Sequence, residues 1–145
     1  MIRGFKMGVR VECRKTGNSM DLGYGGFLRW RMKLAELYDK KWYDHYKQLM
    51  DAPIVKKDDF YAAFNRETER LIEEEGVDIR IVDFCLQSDC GGSINYGVCK
   101  KILHAIGDYD DTAAYTYAAH ADHDFRRLKE ILQDCVNTKT RLRWY

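Results

Sequence analysis

Apolar and polar residues alternate along this chain with two different periods. Val9, Val11 and Cys13 alternate with Arg10, Glu12 and Arg14, the period-two signature of a strand with one buried face. Thr16-Gly-Asn-Ser is a turn signal, and Met20, Leu22 and Tyr24 alternate again. Residues 7–24 therefore predict a β-hairpin. From Phe27 the period lengthens. Leu28, Met32, Ala35, Tyr38, Trp42, Tyr46 and Leu49 step by three or four, which predicts one long helix with a possible break near Asp39. Asp51-Ala-Pro reads as a connector, because proline disfavours a helical residue before it.

Asp58 or Asp59 is the expected cap of a second helix carrying Phe60, Phe64, Leu71 and Ile72, stopped by Gly76. Residues 77–86 fit a strand through Ile79 and Ile81, or a short helix through Ile79, Val82, Cys85 and Leu86; the helical reading is adopted. Ser93 is the expected cap of a helix with Ile94, Val98, Ile102 and Ile106, widened by Cys99 and Leu103 and ended by Gly107. A short helix over 112–119 follows, then a last one with Phe125, Leu128, Ile131, Leu132 and Cys135 inward. Residues 140–145 alternate again and predict a strand that closes on the hairpin. The expected fold is α+β: a mostly helical single globular domain over residues 1–145. It has four to six helices and a small antiparallel sheet built from an N-terminal hairpin and a C-terminal strand.

Composition adds limits. With 145 residues, 46% hydrophobic and 32% charged, the chain can bury a core of its own. No run approaches the roughly 18 apolar residues of a membrane span, and the first eight residues lack the apolar core of a secretory signal. The five cysteines are odd in number and irregularly spaced, which suits reduced thiols in a cytoplasmic protein better than a disulfide framework. The net charge of +1 hides a segregation. Residues 1–33 carry eight basic side chains against two acidic ones, and the last seven residues add Lys139, Arg141 and Arg143. If the two termini meet in space, they form one basic face.

Two glycine-rich turns carry the candidate chemistry. The first runs from Asp21 through Gly23, Gly25, Gly26, Phe27 and Arg29-Trp-Arg. The amides of Gly26, Phe27 and Leu28, at the start of the predicted helix, would favour a small anion or nucleotide, whereas Arg29 and Arg31 oppose the helix dipole there. The string is neither a P-loop nor a complete dinucleotide fingerprint. Its plainer reading is a strand-to-helix corner, with both arginines solvated or paired to Asp21 and Glu36. The second turn, Ser88-Asp-Cys-Gly-Gly, places Cys90 ahead of a helix. Cys90 is the weak catalytic candidate, with His104, His120 or His123 as its base. The plainer alternative is a loop in which Asp89 bonds the turn amides.

Metal sites are weaker still. The Cys85, Cys90, Cys99 and His104 spacing invites zinc, but Cys99 and His104 lie about 140° apart around a helix. His120, Asp122, His123 and Asp124 form the densest ligand cluster, although Asp122 or Asp124 is also the expected cap of the last helix. Asp108-Tyr-Asp-Asp lacks the glycine and glutamate of a calcium loop. No metal or cofactor is expected. Interleaved arginines and aromatics at both termini complete the picture. Gly25, Gly26, Phe27, Arg29, Trp30, Arg31, Arg143 and Trp144 are the expected contact surface for an acidic protein or a nucleic acid.

Gly-Tyr-Gly-Gly-Phe-Leu-Arg-Trp-Arg near the start, Ser-Asp-Cys-Gly-Gly in the middle, Leu-Lys-Glu-Ile-Leu-Gln-Asp-Cys and the terminal Trp-Tyr resemble a group of small bacterial proteins of no assigned activity. That group belongs to Gram-positive bacteria and their phages or mobile elements. The resemblance implies an accessory intracellular protein, a binder or inhibitor rather than a metabolic enzyme, and assigns no site residue. The expected function is that of a non-enzymatic interaction protein, with a small-anion binder at residues 23–28 second and a Cys90 hydrolase third.

Overall fold

The computed structural model describes residues 8–51, 57–109 and 124–145, apart from the side chains of Tyr24, Lys57 and Asp124. The hairpin forms as its alternation requires. β1 (Gly8–Cys13) and β2 (Ser19–Gly23) pair antiparallel, with Val9 opposite Leu22 and Val11 opposite Met20 on the buried face. Gly17, at φ +75°, supplies the left-handed residue of the turn. The helices are α1 (Tyr24–Tyr38), α2 (Lys40–Tyr46), α3 (Lys57–Glu75), α4 (Ile79–Leu86), α5 (Tyr96–Ile106) and α6 (Asp124–Thr138), with a 3-10 turn over Lys47–Asp51. β3 (Gly92–Ile94) and β4 (Leu142–Trp144) complete a four-stranded antiparallel sheet ordered β2-β1-β4-β3. The C-terminal strand thus closes on the hairpin, and the fold is a mostly helical α+β arrangement.

The expected long helix does break at Asp39. That residue is extended, at φ −161°, and its carboxylate accepts from Lys41 N (2.7 Å) and Trp42 N (3.3 Å) to cap α2. Its own N–H returns to the Ala35 carbonyl to close α1. The buried stripe of α1 is rotated from the expected one. Phe27, Trp30, Arg31, Leu34 and Ala35 are buried, whereas Leu28 and Met32 are half-exposed.

Two caps also differ. α3 starts at Lys57, so Asp58 and Asp59 lie in its first turn, where they offset the dipole instead of capping it. Gly76, at φ +72°, stops this helix as expected. Residues 79–86 are helical, capped by Asp78 through Arg80 N. Ser93 caps nothing, because residues 92–94 pair with β4 as a third partner strand, and Asn95 caps α5 through Val98 N (2.9 Å). The expected helix over 112–119 and the cap of α6 lie outside the described residues.

α1 and α6 pack on one face of the sheet, α5 bridges α6 and α1, α2 packs on α1, and α3 rests chiefly on α2. The buried hydrophobic side chains, Phe64 apart, form one contiguous cluster. At its centre Phe27, Trp30, Phe84, Phe125 and Trp144 meet mostly edge to face, at ring separations of 5.3–6.3 Å. Such pairs add about 0.5–1.5 kcal/mol each beyond their area. Gly92 is the seat of the Trp144 indole: a β-carbon there would collide with the indole and with the Gln87 amide. Gly92→Ala is therefore expected to lower stability by about 1–3 kcal/mol in urea denaturation.

His45 stacks on Phe64 at 4.0 Å between α2 and α3. Its Nε2 lies 2.8 Å from Thr68 Oγ1 and 3.1 Å from the Phe64 carbonyl. That carbonyl only accepts and Thr68 Oγ1 already donates to it, so Nε2 carries the proton. A second proton would sit on Nδ1, which is buried with no partner. Burial accordingly lowers the His45 pKa from 6.5, the Phe64 carbonyl and Glu67 opposing. The unfolded chain binds this proton more readily. The contribution of His45 is complete above pH 6.5 and is lost as pH falls toward the lower folded value. Denaturation midpoints on either side of pH 6.5 are expected to drop on the acid side, and His45→Gln to flatten that drop.

Candidate functional site

The expected contact surface divides on folding. Phe27, Trp30, Arg31 and Trp144 are at most 5% exposed and belong to the core, which corrects their assignment as a surface. Trp30 is enclosed by Phe27, Phe84 and Phe125. Trp144 alternates with Arg143 along β4 and therefore takes the inward parity, its indole N–H donating to the Ser88 carbonyl at 2.8 Å. Arg31 is paired with neither Asp21 nor Glu36. Asp21 holds Arg10 at 3.1 Å and Glu36 holds Lys33 at 2.7 Å.

Arg31 instead reaches through the core to the end of α4. Its Nη1 donates to the carbonyls of Gln87 (2.7 Å) and Cys85 (3.3 Å), and its guanidinium carbon lies 4.2 Å from the centre of the Phe27 ring. A cation at the carbonyl end of a helix is favoured by the dipole, and the ring face adds a cation–π attraction. Burial nevertheless pulls its pKa down, with the Tyr46 hydroxyl among the groups opposing.

The first glycine turn begins its helix earlier than expected. Gly23 is the N-cap, with no side-chain cap bond and no acidic residue in the first turn. The amides free of intrahelical partners are those of residues 24–26, while Phe27 and Leu28 lie within the helix. Arg29 is exposed, and its guanidinium nitrogens lie 3.6–3.8 Å from where β-carbons of Gly25 and Gly26 would be. The turn thus presents an uncapped helix start covered by a cation.

The second turn is held by other groups than Asp89. Ser88 Oγ accepts from Cys90 N at 3.0 Å, and Gln87 Oε1 accepts from Ser93 N at 3.2 Å. Cys90 is exposed, its thiol 3.5 Å from Asp89 Oδ1. Of the described histidines, His45 is bonded to Phe64 and Thr68, and His104 is exposed near the end of α5. His120, Asp122, His123 and the side chain of Asp124 lie outside the described residues. No group of three metal-ligating side chains gathers among the described ones, so Cys85, Cys90, Cys99 and His104 do not converge.

The open face of the sheet is where charge collects. β1 pairs with β4 so that Glu12 faces Arg143, and β4 with β3 so that Ser93 faces Arg143. By the same parity Arg10, Arg14, Arg141 and Tyr145 point away from the core. All strand–helix packing lies on the opposite face among the described residues. Arg14, Arg141 and Arg143, with Ser93, Tyr145 and the Gly91-Gly92 backbone, line a shallow trough. Glu12 lies 3.5 Å from Arg14 and accepts from Tyr145 Oη at 3.1 Å. Among the described residues Arg141 bonds only the neutral Ser93 hydroxyl, at 3.0 and 3.1 Å, and Arg143 has no ion pair. The described parts of the two basic termini, at β1 and β4, therefore meet. Arg14, Arg141 and Tyr145 join Arg143 in a group that the basic–aromatic motifs missed. The parity of residues 9–14 and 141–145 was the signal that could have found it.

Scans against protein-family models, curated proteins and solved structures return no significant match. No helix among the described residues is long and apolar enough to cross a membrane.

Replacing Arg31 leaves the part-buried Gln87 carbonyl without its donor, takes one of two donors from the Cys85 carbonyl, and opens space beside Phe27. Arg31→Ala is expected to cost about 3 kcal/mol or more in urea denaturation, whereas Arg29→Ala changes stability by about 0.5 kcal/mol or less.

Proposed function

We propose that this protein is a non-enzymatic interaction protein that binds an anionic macromolecule on the open face of its sheet. The observation that carries the reading is the β1–β4 pairing, which joins the basic residues of both chain ends in one trough lined by Arg14, Arg141 and Arg143. Guanidinium forks suit phosphate and carboxylate oxygens alike, and Tyr145, 45% exposed, adds an aromatic face at the same edge. A nucleic acid and an acidic protein surface share this chemistry. The resemblance to accessory proteins of Gram-positive bacteria and their mobile elements accords with a factor that acts by occupying a partner in the cytoplasm. Five unpaired cysteines suit that compartment.

The test is fluorescence anisotropy with a labelled single-stranded oligonucleotide and, separately, labelled polyglutamate. At least one probe is expected to bind with an affinity that falls as salt rises. The double variant R141Q/R143Q is expected to lose about tenfold or more, about 1.4 kcal/mol, with little change in the denaturation midpoint. Failure of both probes to bind at low salt, or equal binding by the double variant, overturns the reading.

A further inference from the structure

The trough on the open sheet face gathers more positive charge than its described surroundings balance. Cys13 pairs with Leu142, so Arg14 and Arg141 follow at the same end of the β1–β4 ladder. Arg143 is two residues beyond Arg141, about 7 Å along the chain and on the same face. All three line the trough, and like charges gathered this way repel. Glu12 lies 3.5 Å from Arg14 and also accepts from Tyr145 Oη. Arg143 has no ion pair among the described residues. Arg141 spends Nε and Nη2, its bidentate edge, on one neutral oxygen, the Ser93 hydroxyl. That oxygen accepts both bonds, which leaves the hydroxyl proton to donate.

Elsewhere on this face the charges cancel. Arg10, opposite Tyr145 at the other end of β4, is held by Asp21 at 3.1 Å. The excess of Arg10, Arg14, Arg141 and Arg143 over Glu12 and Asp21 is therefore confined to the corner where β3 meets β4. A polyanion bound along its length needs cations all along its track, and a single-stranded nucleic acid also needs aromatic platforms. The outward residues of the described strands include one aromatic, Tyr145, at the trough edge. A concentrated dianion needs neither a track nor a stack. A phosphate monoester carries about −1.5 to −2 at neutral pH on three oxygens, whereas a carboxylate carries a single charge on two.

We propose that the trough recognises a phosphorylated side chain on a partner protein. The inference rests on the sheet-face reading above and narrows its ligand. The phosphate would lie between Arg141 and Arg143, accept from the Ser93 hydroxyl, and offset the repulsion that Arg14 adds. Clusters of arginine recognise phosphorylated motifs through these same forks. A phosphate carried outward on a side chain reaches a shallow trough on a flat face without any pocket for its neighbours.

The experiment is an amide NMR titration of the full chain at low salt. The probes are three glycine-flanked peptides that differ at one position, phosphoserine, glutamate or serine, and an oligonucleotide with a terminal phosphate. Saturable shifts centred on residues 91–93 and 141–143 are expected with the phosphoserine peptide, at an affinity about tenfold or more above that of the glutamate peptide. R141K/R143K keeps the charge and removes the forks. It is expected to lose the phosphoserine preference, while its spectrum away from the trough stays that of the folded chain. Equal affinity for phosphoserine and glutamate, both weakened in R141Q/R143Q, overturns the proposal and leaves the sheet-face reading standing. No shift with the phosphoserine peptide overturns it whether or not polyglutamate binds. So does a preference that survives R141K/R143K, or tighter binding of the phosphate-ended oligonucleotide at the same residues.

Discussion

The structure depends on one buried cation. Arg31 leaves α1, passes over the Phe27 ring and ends on the carbonyls at the C-terminus of α4. Burying a guanidinium in an apolar core costs several kcal/mol unless its hydrogen bonds are replaced. Here the replacement is a helix end, whose carbonyls need donors in any case. Nη1 and the helix end satisfy each other, and α1 and α4 are locked together by the result. The lock extends further. Gln87, whose carbonyl takes the short Arg31 bond, uses its own side-chain amide to hold both Ser93 N and the Ser93 carbonyl. It acts as one more strand residue at the edge of β3. Ser88 then takes the Trp144 indole N–H. From Arg31 to Gln87 to β3 and β4, one chain of contacts positions the sheet against the helices.

The two glycine turns differ in what their glycines do. In the second, Gly92 has an ordinary backbone conformation and is small because an indole lies on it. That is a packing requirement, and it belongs to the same chain of contacts as Arg31. In the first, β-carbons at Gly25 and Gly26 would meet only the tip of Arg29 and the side chain of Leu22, at ordinary separations. Nothing steric demands glycine there. The turn ends β2 and starts α1 without a cap, and stability gains little from its glycines.

The sequence was most legible where one rule acted alone. Period two placed β1, β2 and β4, and the four-residue step found the buried faces of α5 and α6. Gly76 and Gly107 marked helix ends. It misled where two rules competed. Ser93 is a good cap residue, but Asn95 is as good and stands where the strand has finished pairing. Trp30 lies between two arginines and reads as a surface aromatic. Its position three residues after Phe27 and four before Leu34 puts it on the core stripe. Arg31 was the hardest. A charged residue on a buried stripe is legible only once its acceptors are known, and those are fifty-odd residues away. The basic face was legible in part. Charge counting found both ends, strand parity separates Arg143 from Trp144, and only the pairing of β1 with β4 shows that they meet.

The near-neutral net charge conceals how that face is oriented. The acidic side chains that balance it are concentrated on α3, where Asp58, Asp59, Glu67, Glu69, Glu73, Glu74 and Glu75 outnumber Lys57, Arg66 and Arg70. Arg70 is tied up by Glu67, Glu74 and Glu75, and Lys41 of α2 is drawn to Glu75 as well. α3 rests chiefly on α2, whereas the basic residues sit on a sheet packed by α1 and α6. Positive and negative charge are therefore carried by different parts of the fold. Such a separation produces a field that orients an approaching polyanion even when the net charge is close to zero. At physiological salt it acts only within roughly 8 Å of the surface, so it selects which face touches a partner already nearby. On the proposed reading, affinity would then come from short contacts to Arg141 and Arg143, neither of which forms an ion pair among the described residues.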